Sequence, residues 1–535
     1  MLAPAIEGAR CTRGMVVAPH VASAEAGLTA LRAGGNAFDA IVAAAFANCV
    51  VEPAHNGIGG YGGHMVAWHA GEGRVVCLDY NTRAPMAASP TMFPVVPDPE
   101  TVYRVPGRVH LFGGLSVGVP GVVAGLAEIH ARWGTLPLGT LLGPAIALAQ
   151  EGFEIHFATS TALAGHQAAI ERDFPETAAL LYPKGELRGK GDRLAFPDLA
   201  HTLERLVAAG PRDFYEGELA RRIVAAVRAA GGILTEADMA AYRARLVTPV
   251  RFPYHGYEIY TPPPGAGGVT TCQILAALDR LPLDGIRPGE PEFYRVYVAA
   301  LKPCWRRRVA EIGDPEFTGR SGAEQLEESV IAAIVREAQA DLAAPDPGRK
   351  CAPDAFHCTA HLCAADSAGN FVSLTQTHGG LWGSYLAVPG AGFVLGHGMA
   401  RFDPRPGWPN SIAPGKSPLH NMAPILVLRD GAPYAVYGTP GGRTIVNNQA
   451  LFSLCLLRYG MSLAETFALP RLHCEEAEPA ELEPTAGEGV FSALRKAGVQ
   501  VREREPFGCA AGIVRTGDRF TGSAEPRRDG AAAWE

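Results

Sequence analysis

Helical and strand-like patterns in this 535-residue chain come in long runs rather than alternating one by one. Residues 121 to 240 carry apolar positions at helical spacing, with capping signatures such as Thr235-Glu236-Ala237-Asp238. From Thr359 onward the pattern turns to short strands with turn punctuation. These are Ala360 to Ala365, a turn over Asp366-Ser367-Ala368-Gly369-Asn370, Phe371 to Thr377, and later Ile425 to Leu428 and Tyr434 to Tyr437. The first two form a hairpin with Thr359 at its leading end. Near the N-terminus, two helices between Val21 and Val51 break at Gly34-Gly35-Asn36, and Met65 to Trp68 and Val75 to Asp79 read as strands. Such segregated runs favour an α+β fold, antiparallel sheets layered under helices, over a doubly wound parallel sheet. There is no internal repeat.

With 47% hydrophobic and 19% charged residues the chain has ample apolar surface for a large core. A net charge of -7 argues against nucleic acid and anionic membrane as partners, because either demands a basic field. The basic run Arg306-Arg307-Arg308 reads as a solvated face or a set of internal ion pairs. Eleven scattered cysteines, none in a Cys-x-x-Cys pair, suggest reduced thiols and a cytoplasmic protein. The first residues, Met1 to Glu7, show no basic and apolar signal regions. The longest apolar run, Ala40 to Val51, is interrupted by Asn48 and too short for a bilayer.

Three motifs invite functional readings that their context does not support. Gly57-Ile58-Gly59-Gly60-Tyr61-Gly62 satisfies G-x-G-x-x-G, yet a dinucleotide loop needs a strand before it and a helix after it, and here the order is helix, loop, strand. Gly114-Leu115-Ser116-Val117-Gly118 matches a serine-hydrolase elbow. However, Pro120 stands where the helix should already run, and alternating β-α units are lacking. His357 and His361, with Cys358 and Cys363 close by, have metal-ligand spacing on a helix. On a strand the two imidazoles lie about 13 Å apart.

Thr359 is different because of its company. A Pro- and Ala-rich stretch over residues 340 to 355 reads as an exposed linker, so a cut before Thr359 would give that residue a free α-amine beside its hydroxyl. Nucleophile and base would then come from one residue. Thr375 and Thr377 place hydroxyls on the partner strand, and Thr439-Pro440-Gly441-Gly442 can gather backbone N–H groups for a tetrahedral oxyanion.

On these residues the chain resembles the γ-glutamyltranspeptidase family of N-terminal nucleophile hydrolases over nearly its whole length. The likeness includes Gly14-Met15-Val16-Val17, Leu31-Arg32-Ala33-Gly34-Gly35-Asn36, Val51-Glu52-Pro53, Val119-Pro120-Gly121, Asp213-Phe214-Tyr215, Gly313-Asp314-Pro315, Ile412-Ala413-Pro414-Gly415-Lys416 and Gly438-Thr439-Pro440-Gly441-Gly442, in the family's order. The resemblance implies a proenzyme that cuts itself between Cys358 and Thr359. Residues 1–358 and 359–535 would then stay associated in one four-layer αββα sandwich, with no cofactor. It implies that Thr359 Oγ attacks first the Cys358 carbonyl and later a small-molecule amide, that Thr377 hydrogen-bonds Thr359, and that Gly441 and Gly442 form the oxyanion hole.

The substrate pocket departs from the family. Where the family grips an α-ammonium with acids, this chain has Gly398 and Arg401, and an Asn of that pocket is Gly379. The Arg for the α-carboxylate falls at Asn81, with Arg83 two residues on, and the family's serine pair reads His420-Asn421. A cation at the old ammonium site would be repelled by Arg401, by up to about 4 kcal/mol at 4 Å and an effective dielectric near 20. Arg401, Arg83, His420 and Asn421 suit a carboxylate or polar carbonyl, hence an oxalyl, succinyl or glutaryl amide. Relatives of that kind include oxamate amidohydrolases, cephalosporin or glutaryl acylases, and carbon–carbon hydrolases of antibiotic pathways. True γ-glutamyl transfer and a catalytically silent binding scaffold are the alternatives.

Overall fold

Asn36 stops one helix and starts the next. Its side-chain oxygen accepts from the N–H groups of Phe38 and Asp39, and the Asp39 carboxylate accepts from Asn36 N–H in return. The helices on either side are α1 (Val21–Arg32) and α2 (Ala37–Val51), as the Gly-Gly-Asn break predicts. Every residue of α2 is buried, because it packs on α1, α3 (Val122–Trp133), α4 (Leu138–Glu151) and a sheet beneath. The computed structural model describes residues 10–99, 101–348, 358–525, 527 and 529–535. Met1 to Glu7 and His357 lie outside the described residues.

In chain order the sandwich strands are β1 (Arg10–Cys11), β2 (Gly14–Ala18), β3 (Gly62–His69), β4 (Arg74–Asp79), β5 (Arg245–Leu246), β6 (Val250–Tyr254), β7 (Tyr257–Thr261), β8 (Ala360–Asp366), β9 (Phe371–Thr377), β10 (Ile425–Arg429), β11 (Ala432–Gly438), β12 (Ala511–Thr516), β13 (Arg519–Ala524) and β14 (Ala531–Trp534). They build two seven-stranded antiparallel sheets, β14-β2-β8-β9-β3-β4-β5 and β1-β13-β12-β11-β10-β7-β6. The hairpin expected at Thr359 is β8–β9, at the centre of the first sheet.

Side-chain alternation sorts the strands into layers. Met15, Val17, Val66, Cys363 and Phe371 of the first sheet meet Leu426, Val436 and Ile513 of the second. The outer face of the first sheet, with Met65, Ala67, Leu362 and Leu374, packs on α1 to α4. The outer face of the second, with Ile259, Val427 and Tyr437, packs on α5 (Gly268–Leu278), α6 (Pro291–Glu311), α7 (Glu328–Ala343) and α8 (Thr444–Ser453). The result is the α+β, four-layer αββα sandwich that the segregated runs and the resemblance imply.

Two sequence expectations need correction. The linker expected over residues 340 to 355 begins later, since α7 continues to Ala343. Pro347 then docks by accepting from Glu478 N–H at 2.7 Å, and residues 349 to 355 lie outside the described part. The basic run divides: Arg306 and Arg307 pair with Glu337, but Arg308 is buried without a carboxylate partner among the described residues. Ser116 of the elbow motif is buried and donates to Gly113 O at 2.8 Å, a local turn contact.

Candidate active site

Directly opposed residues of antiparallel strands project to the same face, so register alone lines up the site. Continuing the β8–β9 register past Ala360↔Gln376 sets Thr359 against Thr377, and Thr377 pairs with Gly62 of β3. Gly62 in turn lies against the backbone of Tyr80 and Asn81, an approach no side chain would permit. One step along the strands, about 7 Å away, a second row crosses five strands: His361, Thr375, His64, Asp79 and Arg245. Both rows face the second sheet, on the face that carries Cys363, Val66 and Cys77 into the interior.

Hydrogen bonds tie the first row together. Gly379 N–H donates to Thr377 Oγ1 at 2.8 Å, which directs the Thr377 hydroxyl proton to the Cys358 carbonyl oxygen at 2.7 Å. The Thr359 hydroxyl lies against that same carbonyl and 3.3 Å from Thr377 Oγ1. Cys358 is held from its other side, its thiol donating to His55 O at 2.9 Å. A carbonyl that accepts the Thr377 hydroxyl is polarised toward nucleophilic attack by a neighbouring oxygen, which is the chemistry the Cys358–Thr359 bond would need.

The glycine loop arrives from the second sheet. Gly438 ends β11 directly over the His361 ring, so close that a Cβ there would overlap the imidazole. Gly441 and Gly442 follow with φ of 136° and 60°, positions suited to glycine, and lead into the N-terminus of α8. His361 is buried between the sheets, bonded to Thr375 Oγ1 at 2.8 Å and 3.3 Å from Cys363 Sγ; burial lowers its pKa to about 3. It therefore stands as a neutral packing residue. No group of three or more His, Cys, Asp or Glu among the described residues could hold a metal ion.

The remaining candidates gather around the 81–83, 398–401 and 418–421 segments. Asn81 is buried, donates to Pro418 O at 3.0 Å and leaves its own side-chain oxygen unpartnered. Gly398 packs on Thr82, and the space beside Gly379 is filled by His397 and Tyr61, so neither glycine could carry a side chain there. Arg401 pairs with no carboxylate among the described residues, and its Nε is buried without an acceptor. Burial raises the Tyr61 pKa to about 12 against the pull of Arg401, and lowers His397 to about 3 with Arg401 adding to the effect. His420 and Asn421 are buried and held from behind by Arg308, which donates to His420 O at 2.6 Å and to Asn421 Oδ1 at 3.0 Å. Arg83 is drawn elsewhere, toward Glu316 at 3.4 Å.

Sequence reasoning missed His64, Asp79, Arg245 and Arg308. His64 was legible from strand parity, since it shares a face with Gly62 two residues before it. Arg308 was hidden inside a run that otherwise forms ordinary ion pairs.

Comparison with known proteins places this arrangement among relatives. The profile described as Gamma-glutamyltranspeptidase matches residues 23–534. The chain is 35% identical over 527 residues to the Acylase ACY 1 proenzyme of Pseudomonas sp. (strain SE83), covering 97% of this chain and 93% of that one. It is 30% identical over 536 residues to the glutathione hydrolase proenzyme of Escherichia coli (strain K12), covering 97% and 91%. The crystal structure of cephalosporin acylase from Bacillus halodurans superposes with a TM-score of 0.88 at 25% identity, over 100% of this chain and 98% of that one.

Proposed function

Because the chain belongs to the γ-glutamyltranspeptidase family and is an N-terminal nucleophile hydrolase, we propose that it is a self-cleaving threonine amidohydrolase whose acyl group ends in a carboxylate or polar carbonyl. Thr359 attacks the Cys358 carbonyl through Oγ; the C–N bond breaks, an ester forms, and water releases residues 1–358 from the new N-terminus. The two fragments remain one sandwich, since β2 and β3 flank the β8–β9 hairpin on both sides. In turnover the same oxygen attacks the substrate amide. The α-amine of Thr359, with an ordinary pKa of about 7.7 to 8, takes the proton, and Gly441 and Gly442 N–H groups receive the oxyanion.

The observation that carries the acyl preference is Arg401, a cation with no carboxylate partner among the described residues, close enough to His420 for its charge to act on that ring. Arg401 is half-buried, with its Nε buried and unsatisfied, and a substrate carboxylate would supply the missing acceptor and counter-charge. Among the relatives, one is named an acylase and one solved structure a cephalosporin acylase, whereas others are named glutathione hydrolases, so the pocket rather than the names carries the reading. The test is to offer processed enzyme glutaryl anilide, oxamate and γ-glutamyl anilide. Turnover of a carboxyl-bearing acyl group without an α-ammonium is expected; brisk release from the γ-glutamyl substrate alone would overturn the reading.

A further inference from the structure

The second polar row ends in a relay that the chemistry of Thr359 does not use. Arg245 Nη2 donates to Asp79 Oδ2 at 2.7 Å, Asp79 Oδ1 lies 3.3 Å from His64 Nε2, and His64 Nε2 lies 2.9 Å from His420 Nε2. The two imidazoles are nearly parallel, their planes 25° apart and centroids at 4.7 Å. We infer that Asp79 and His64 fix the proton of His420 on Nδ1 and thereby make that nitrogen the donor that receives the far end of the acyl group.

The carboxylate breaks the symmetry between the two rings. Asp79 keeps a lowered pKa although burial opposes it, because His64, Arg245 and the Asn81 N–H all favour its ionised form. An ionised carboxylate only accepts, and Asp79 Oδ1, which also takes the Asn81 N–H at 2.9 Å, lies 3.3 Å from His64 Nε2, so its negative charge favours the tautomer with the hydrogen on that nitrogen. Two N–H groups cannot face each other across 2.9 Å, so His420 Nε2 is bare and the proton of its neutral ring sits on Nδ1. The opposite assignment would set a His64 lone pair against the Asp79 carboxylate. Burial, with His64, Arg308 and Arg401 nearby, holds His420 in the neutral form.

The donor so defined has nothing to bind. His420 Nδ1 is buried without a hydrogen-bond partner. The backbone beneath the ring is fixed, its amide N–H donating to Gly265 O at 2.8 Å and its carbonyl accepting from Arg308 at 2.6 Å, and the ring itself is held by the 2.9 Å contact of Nε2 with His64. A fixed, buried, unsatisfied donor calls for an acceptor brought by a ligand. His64 stands on the same face as Thr377 and one row, about 7 Å, further along. The inference rests on the proposal that Thr359 carries the acyl group.

The test compares His64→Phe, which keeps ring volume but no nitrogen, with His64→Gln, which keeps an N–H donor. Expected for His64→Phe is a rise in KM for succinyl and glutaryl anilide of roughly 10- to 100-fold, the loss of one hydrogen bond to a charged group, with kcat changed far less. His64→Gln should recover most of the loss. Nitrogen NMR of wild-type enzyme labelled with 15N-histidine should show His420 protonated at Nδ1 without substrate, a preference lost in His64→Phe. Protonation at Nε2 in the wild type, or an unchanged KM in His64→Phe, would overturn the relay. If wild-type enzyme cleaves none of these amides, the proposed function fails, and the NMR experiment still decides the tautomer. Should His64→Phe not fold, His64→Gln and the wild-type spectrum decide.

Discussion

The Thr377 hydroxyl donates to the Cys358 carbonyl oxygen at 2.7 Å, and its own lone pair is occupied by Gly379 N–H at 2.8 Å. A residue 18 positions beyond Thr359 is thus oriented on the bond that self-cleavage must break. Under the proposed function the same hydroxyl would stay beside Thr359 after the cut and hold the nucleophile in position, so that one contact would serve both maturation and turnover.

Thr377→Val keeps the shape and removes the donor. Self-cleavage should slow by roughly 10²- to 10³-fold, the usual cost of one lost donor on a developing oxyanion. Thr359→Ala should give a single uncut chain with no turnover, and Thr359→Ser should retain part of both. Timed gel electrophoresis of purified protein checks all three. Two fragments cut at the same bond in Thr359→Ala would show that another residue is the nucleophile.

Arg401 is the pocket residue whose charge can be reversed most informatively. Arg401→Asp should raise KM for glutaryl anilide by at least roughly 10²- to 10³-fold, since loss of the attraction alone is worth up to about 4 kcal/mol between unit charges 4 Å apart at an effective dielectric near 20 and the new repulsion adds to it. The same change should improve kcat/KM for γ-glutamyl anilide, whose α-ammonium then meets an anion. The ratio of the two kcat/KM values is the measurement. If both substrates lose activity equally, the charge of Arg401 does not select the acyl group.

Arg308 supports the pocket from behind. Besides His420 and Asn421 it donates to Ala266 O at 3.0 Å and Thr270 Oγ1 at 3.3 Å. Burial, with Arg443 and Arg401 nearby, pushes its pKa down to about 9, which still leaves it protonated at neutral pH. Arg308→Met leaves four acceptors without this donor and should destabilise the protein by about 2 to 4 kcal/mol. Arg308→Lys should recover only part, because one ammonium cannot span positions that a guanidinium fork reaches. Chemical denaturation compares the three proteins, and equal midpoints would show the contacts to be dispensable.

Much of this layout was legible from patterns with a physical period. The Asn36 cap, the β8–β9 hairpin and the change from helices to strands near Thr359 follow from capping chemistry and alternation, which act over a few residues. The second sheet was only half legible. β10 and β11 read as strands, but β6 and β7 follow a long helical stretch, and the pairing of β7 with β10 joins Tyr257 to Arg429 across the sequence. Such contacts leave no local trace. The pocket shows the same division: Arg401, His420 and Asn421 stood out where the chain departs from the family it resembles, whereas the turn of Arg83 toward Glu316 and the alignment of His64 with Asp79 depend on long-range packing and register.

Buried neutral histidines give the fold a defined acid limit. His361, His378 and His397 are each exposed by 1% or less, and burial lowers each pKa to about 3. In the unfolded chain they titrate near 6.5, so between about pH 3 and 6.5 the unfolded state binds more protons and stability rises with pH. On acidification each contributes a loss approaching 1.4 kcal/mol per pH unit below about pH 6. Melting temperature should therefore be nearly level from pH 8 to 7 and fall steeply from pH 6 to 5. His361→Gln should be less stable at pH 7.5, since it disturbs the contacts with Thr375 and Gly438, yet decline less steeply. A decline as steep as the wild type's would mean that His361 already exchanges protons in the folded protein.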